Sequence, residues 1–181
     1  MIFYVKLWLL FTPPNPKQTL TNIEWCNMLP RLTKIPQLSP LVSDYLDALR
    51  LQHFEGDIAS SYADRLSLAT DNSVYQQLPQ AILFPKSVAD VVRLTKLAQQ
   101  EKYLSLTFTP RGGGTGTNGQ SINNNIIVDL SRHMTKILEL NLKERWVRVQ
   151  AGVVKDQLNQ FLKPHGLFFS PELSTSNRAT L

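Results

Sequence analysis

Apolar residues recur at helical spacing in three parts of the chain and predict three helices. The first covers about 40–52, the second about 87–101 and the third about 153–162. Each keeps most of its apolar residues on one face, as expected of a helix that packs against a core. Ser87 stands three residues before Asp90, a spacing that resembles a capping box at the start of the second helix.

Short apolar or alternating runs between these helices predict strands. We assign strands to 81–84, 104–109, 126–130, 137–140, 146–151 and 167–169. The polar stretch 56–79 is predicted to be a loop with a short helical piece. The resulting order of elements predicts an α+β fold, with a small mixed sheet and flanking helices, preceded by a helical and irregular extension.

The chain divides into three parts by its pattern. Residues 1–39 lack a sustained period, and six of the eleven prolines lie within residues 1–40, so we expect an irregular extension. Two interpretations of this extension stay open. Either it is a native, irregular arm, or translation begins at Met28 and the residues before it are not native. Residues 40–74 are predicted to be a helical lead-in, and residues 75–181 a folded domain.

The composition is typical of a globular domain, and the charge distribution argues against nucleic-acid binding. The 43% hydrophobic and 18% charged residues are ordinary for a globular domain. The net charge of +5 comes largely from scattered basic residues within 1–36, and Lys and Arg form no run. Because nucleic-acid binding needs clustered cations along the phosphates, we expect no nucleic-acid partner.

The single cysteine, Cys26, excludes an internal disulfide and favours a reducing compartment. The apolar opening at 1–11 is much shorter than the roughly 20 residues that span a bilayer, and it lacks the features of an export signal. We therefore expect a cytoplasmic protein with no transmembrane segment. Neither His133 nor His165 has a nearby carboxylate or cysteine at ligand spacing, so no metal site or histidine base is expected, and Asp129 is interpreted as a turn-capping acid.

The segment PRGGGTGTNG, residues 110–119, holds five glycines in ten positions directly after a predicted strand. Glycine adopts positive φ readily and lets a ligand come close to the backbone. Successive exposed N–H groups can then converge on an anion. The segment is therefore predicted to bind phosphate groups.

Three other interpretations of this loop are a Rossmann fingerprint, a P-loop and a loop without a ligand. Gly114, Gly116 and Gly119 satisfy GxGxxG, but a strand-like run begins within seven residues, which leaves no room for the helix of a Rossmann unit. A P-loop would need lysine where Gln120 stands. A loop without a ligand remains, but each glycine costs about 0.5–1 kcal/mol of chain entropy, so three in succession favour a functional reason.

The glycine segment, followed by IIVDLSRHMTKILELN and then by WVRVQAGVVKDQLNQFLKPHGLFFSPELSTSNRATL, resembles the FAD-binding domain of the vanillyl-alcohol oxidase and p-cresol methylhydroxylase (PCMH) family. Within that family the chain looks most like the bacterial FAD-linked dehydrogenases of D-2-hydroxy acids. The resemblance covers residues 75–181 and implies a PCMH-type fold with FAD as the cofactor.

The resemblance also implies which positions bind FAD. The glycine loop would wrap the diphosphate, the segment after the last predicted strand would approach the flavin, and Ala179-Thr180-Leu181 match the opening of the family's ATLGG turn. The FAD-binding residues implied are Arg111, Gly112, Gly113, Gly114, Thr115, Gly116, Thr117, Asn118, Pro171, Glu172, Leu173, Ser174, Thr175, Ala179 and Thr180.

By the same resemblance, the chain is an N-terminal fragment. The rest of the FAD domain, the substrate cap domain and any iron–sulfur segment would follow it, so no catalytic residue is expected here and the chain alone should bind FAD weakly or not at all. The implied parent reaction is oxidation of D-2-hydroxyglutarate or D-lactate to the 2-oxo acid, with an electron acceptor that the residues do not identify. Two alternatives stay open, a non-catalytic remnant or binding module and a flavoprotein of the UDP-N-acetylmuramate-forming reductase type.

Overall fold

A computed structural model describes residues 36–181, which form α-helices, a four-stranded sheet and a two-stranded sheet. The expected α+β class is confirmed. The predicted start at Met28, Cys26 and most of the predicted irregular extension lie outside the described residues. In chain order the elements are α1 (Pro40–Leu51), β1 (Asp57–Ala59), α2 (Tyr62–Ser67), β2 (Ala81–Phe84), α3 (Val88–Ala98), β3 (Phe108–Arg111), β4 (Ile126–Asp129), β5 (Ile137–Asn141), β6 (Trp146–Val149) and α4 (Lys155–Leu162).

The four-stranded sheet has the order β1-β2-β4-β3. Strands β2, β4 and β3 are parallel, whereas β1 runs antiparallel to β2. The carboxyl ends of the three parallel strands therefore lie at one edge of the sheet, where ligands commonly bind in open α/β sheets. The glycine loop begins at this edge, directly after β3.

The main core lies between this sheet and the helices α1 and α3. Four apolar residues of α1 are buried, Val42, Tyr45, Leu46 and Leu49, and the predicted Leu41 is partly buried. Tyr45 is central to this core, because its ring meets that of Tyr103 edge-on with centroids 5.2 Å apart and its hydroxyl donates to the Leu94 carbonyl over 2.8 Å. Among residues 36–181, the longest helices are too short to cross a bilayer.

Hydrogen bonds of Ser87 and Asp90 fix the start of α3. The Ser87 hydroxyl accepts from the Asp90 N–H over 3.2 Å, which confirms the predicted cap. The Asp90 carboxylate, itself fully buried, accepts from the N–H groups of Glu55 and Lys86, each over 3.0 Å. Asp90 thus ties the entry to β1 and the exit from β2 to the same helix.

The structure corrects two of the predicted strands and adds one that was not predicted. Strand β1 was not predicted, and the strand expected over 104–109 begins only at Phe108 and runs through Pro110. Proline is tolerated there because β3 is an edge strand. The strand predicted over 167–169 is absent, since both backbone polar groups of Phe169 bond to the Asn159 side chain, over 2.7 and 3.3 Å.

The bonds of Asp90 predict a large loss of stability in Asp90→Ala. The substitution removes the buried acceptor of two partly buried N–H groups, and a lost hydrogen bond to a charged group costs about 1.5–3 kcal/mol. Urea unfolding followed by circular dichroism should show this loss. Asp47→Ala, which removes an exposed carboxylate paired with Arg50, should change stability by less than about 1 kcal/mol, and equal effects of the two substitutions would contradict this account.

Candidate functional site

The glycine loop presents a run of free backbone donors at the sheet edge. Within residues 36–181, none of the six N–H groups from Gly112 to Thr117 donates a hydrogen bond. The next N–H, that of Asn118, donates to the Gln120 side chain over 3.0 Å, and the Gly114 carbonyl accepts from Asn72 over 3.1 Å. Six successive unpaired donors in a partly buried loop can form the anion-binding concavity that the sequence predicts.

The Arg111 side chain, at the start of the glycine loop, anchors the loop to neighbouring parts of the chain through hydrogen bonds. Its guanidinium is buried and donates to the carbonyls of Thr70 over 2.8 Å, Ser121 over 3.3 Å and Leu68 over 3.5 Å. Burial lowers the pKa of Arg111, while the neighbouring Asp129 and Asp71 act in the opposite direction. The side chain thus supports the loop, and its predicted direct contact with a cofactor stays a prediction.

Two carboxylates stand beside Arg111, and local hydrogen bonds hold both. Asp129 accepts from the N–H and hydroxyl of Ser131 over 2.8 and 2.7 Å, in the turn-capping geometry expected of it. Asp71 accepts from the Ser73 N–H and the Ser121 hydroxyl, each over 2.9 Å. Burial opposes the charge of Asp71, but these bonds outweigh it and leave the pKa of Asp71 below its usual value.

The chain end 175–181 lies against the glycine loop. A Cβ placed on Gly112 would meet the Thr180 side chain, and one placed on Gly113 would meet the Arg178 carbonyl. Only glycine allows this approach at either position. Helix α4 anchors the segment, because the Lys155 N–H donates to the Ala179 carbonyl over 3.0 Å.

Two cavities flank the loop and share Ser67, Arg111 and Arg178 in their walls. One has a volume of about 220 Å³ and the other about 470 Å³. The remaining residues of the smaller cavity are Thr70, Asp71, Asn72, Gly114, Thr115 and Thr175. Those of the larger cavity are Leu68, Gly112, Gly113, Asp129, Ser131, Val154 and Asn177.

The structure brings together part of the predicted site. Gly112 to Thr115 and Thr175 line the cavities, and Thr180 contacts the loop. Ala179 is held beside them by α4, whereas Gly116, Thr117 and Asn118 line neither cavity. Residues 171–174 are exposed and line neither cavity.

In the wall of the smaller cavity, sequence reasoning missed five residues that carry polar or charged side chains. These are Ser67, Thr70, Asp71, Asn72 and Arg178. The first four belong to the stretch predicted only as a loop with a helical piece, and their polar character was the one local signal available. Arg178 directly precedes the predicted Ala179.

His133 has a carboxylate partner that its sequence neighbours did not indicate. Its Nε2 lies 2.7 Å from Oδ2 of Asp57, which is 76 residues earlier in the chain. Hydrogen bonds from His133 and then Lys86 lower the pKa of Asp57. The expectation of no carboxylate at ligand spacing from His133 was therefore wrong in space.

Known proteins resemble most of the chain, including the glycine loop. A family model described as the FAD binding domain matches residues 79–181. A Haemophilus influenzae protein named D-2-hydroxyglutarate dehydrogenase is 83% identical over 154 residues, a match that covers 85% of this chain and 15% of that protein. The chain thus spans only 15% of the length of this relative.

Solved structures share the fold at low identity. An alkyldihydroxyacetonephosphate synthase superposes with a TM-score of 0.65 at 21% identity, over 82% of this chain and 30% of that one. A p-cresol methylhydroxylase superposes with a TM-score of 0.61 at 13% identity, over 78% of this chain and 29% of that one. The expected PCMH-type fold is confirmed.

The contacts of Asp71 predict that Ser121→Ala raises the pKa of Asp71. The substitution removes one hydrogen bond to the charged form, which then becomes less favourable. In the native protein, the stability that Asp71 contributes is complete above about pH 4, the ordinary value for aspartate, and is lost as the pH falls through its lower folded value.

Carbon-detected NMR titration of the Asp71 carboxyl measures this shift directly. Ser174→Ala is the matched control, because Ser174 is exposed and lines neither cavity. An Asp71 titration that is the same in Ser121→Ala and in the native protein would contradict the assigned contact.

Proposed function

The chain belongs to the FAD binding domain family, and we propose that it supplies the diphosphate-binding part of an FAD-dependent D-2-hydroxy acid dehydrogenase. The proposal includes the predicted division of the chain, with residues 40–74 as a helical lead-in and residues 75–181 as the FAD-binding domain. It also includes the cytoplasmic location expected from the single Cys26.

The observation that carries this proposal is the run of unpaired N–H groups from Gly112 to Thr117. A hydrogen bond to a charged group contributes about 1.5–3 kcal/mol, so a few such donors can hold a diphosphate without a metal ion. The partly buried loop limits competition from water. The loop opens on cavities of about 220 and 470 Å³, which give the adjoining parts of FAD two directions in which to extend.

The roles of the other predicted residues follow from their places around the loop. Thr115 and Thr175 line the smaller cavity and offer hydroxyls to the cofactor. Thr180 and Ala179 lie where α4 fixes the chain against the loop, so they would orient the part of FAD nearest the flavin. Residues 171–174, which are exposed here, would reach the flavin only once the cofactor is bound.

The proposed substrate class, D-2-hydroxy acids, is inferred from the Haemophilus influenzae relative. D-2-hydroxyglutarate is favoured over D-lactate because the 83% identical protein is named D-2-hydroxyglutarate dehydrogenase. When bound, FAD supplies the acceptor for the hydride that leaves the α-carbon of the hydroxy acid. The residues of this chain bind and orient the cofactor and leave the acid–base chemistry to other parts of the protein.

The close approach at Gly113 predicts that Gly113→Ala weakens FAD binding by about tenfold or more. The new methyl group would push the loop away from Arg178 and misdirect at least one donor. Fluorescence quenching of FAD, titrated into the whole protein that carries these residues, measures the dissociation constant.

Gly166→Ala provides the matched control for this substitution. Unlike Gly113, Gly166 has a positive φ, of 67°, and nothing lies within 4 Å of the added Cβ; it lines neither cavity. It should lose about 1 kcal/mol of stability and bind FAD normally. Native affinity in Gly113→Ala would contradict the proposed site.

The proposed substrate predicts that the whole protein reduces a dye acceptor with D-2-hydroxyglutarate and not with the L-enantiomer. Steady-state kinetics on a panel of D- and L-2-hydroxy acids measures this preference. A higher kcat/KM for D-lactate, or no turnover of any 2-hydroxy acid by FAD-loaded protein, would contradict the substrate assignment.

A further inference from the structure

The charged side chains around the glycine loop carry a net negative charge unless Arg178 is counted. Backbone N–H groups donate hydrogen bonds but add no net charge. Among the described residues that line the two cavities, the charged side chains are Asp71, Asp129, Arg111 and Arg178. Without Arg178, this set carries a net negative charge, which would repel a doubly negative diphosphate.

Arg111 cannot easily supply the missing positive charge. Its guanidinium lies between the two carboxylates and already donates to three backbone carbonyls, at 2.8 to 3.5 Å. To reach a ligand, it would have to leave the carbonyls of Leu68, Thr70 and Ser121 without their donor. Because these contacts hold the loop itself, such a movement would also disturb the N–H groups that bind the anion.

Arg178, unlike Arg111, is free to bind a ligand. Within residues 36–181, its guanidinium forms no hydrogen bond or ion pair, and the residue is exposed. It lines both cavities, and its own carbonyl stands against Gly113. The charge of Arg178 also reaches Arg111, whose pKa is lowered first by burial and further by this neighbour.

The backbone around Arg178 is fixed, although its side chain has no partner. The N–H of Arg178 donates to the Thr175 carbonyl over 2.9 Å, and the following Ala179 accepts from the N–H of Lys155 at the start of α4. A fixed backbone with an uncommitted guanidinium is suited to a ligand, because only the side chain must be ordered on binding.

We propose that the guanidinium of Arg178 pairs with the diphosphate of FAD, an inference that rests on the proposed function. The planar guanidinium can donate two parallel hydrogen bonds to phosphate oxygens while the loop N–H groups bind them from the other side. Arg178 is then a cofactor-binding residue that restores the charge balance set by Asp71 and Asp129.

The test compares Arg178→Ala and Arg178→Lys in the whole protein that carries these residues, with FAD and ADP as separate ligands. ADP carries the diphosphate without the flavin. Arg178→Ala should weaken both ligands by a similar factor of about 10 to 100 and make FAD affinity less sensitive to salt. Arg178→Lys should recover only part of the affinity, because it keeps the charge and loses the paired donors.

Arg148→Ala is the matched control, since Arg148 is an exposed arginine that pairs with Glu139 and lines neither cavity. It removes the same charge and should leave both affinities unchanged. The midpoint potential of the bound flavin provides an independent readout. It should be the same in Arg178→Ala and in the native protein.

Three outcomes would overturn the inference. Native FAD and ADP affinity in Arg178→Ala, together with weak binding by Gly113→Ala, would reject Arg178 and leave the proposed function standing. Unchanged ADP affinity with a shifted flavin potential would place Arg178 at the flavin ring. A native protein that binds neither ligand would reject the proposed function itself. If Arg178→Ala does not fold, the comparison of Arg178→Lys with the native protein decides by the same criteria.

Discussion

A peptide N–H group binds a ligand only if the protein does not use it first. The candidate site depends on six successive N–H groups, from Gly112 to Thr117, that stay unpaired beyond the carboxyl end of the parallel strand β3. Arg111 makes this possible by holding the loop through its side chain rather than through the loop amides. The absence of side chains at Gly112 and Gly113 then allows the segment around Arg178 and Thr180 to close one side of the groove.

The features that local sequence patterns encode were predicted well. The glycine loop, the cap at Ser87 and the buried strands near 81–84 and 126–130 depend on neighbouring residues, and each was found close to its predicted place. The FAD-binding assignment and the PCMH-type fold came from the resemblance, which the comparisons support.

The features that were missed depend on long-range contacts. Strand β1 has only three residues and is defined by its pairing with β2. Asp71 joins the site through Ser121, 50 residues away, and His133 meets Asp57 across 76 residues. A pattern of neighbouring residues cannot predict contacts between residues so far apart in the sequence. The last predicted strand failed for a related reason, because the side chain of Asn159 satisfies the backbone of Phe169 and leaves it no need of a neighbouring strand.

In the proposed site, the N–H groups from Gly112 to Thr117 bind the diphosphate of FAD. A crystal structure of the FAD complex of the whole protein tests it most directly. The account predicts diphosphate oxygens within about 3 Å of several of these nitrogen atoms. A diphosphate bound elsewhere, with these N–H groups bonded only to water or to the protein, would contradict it.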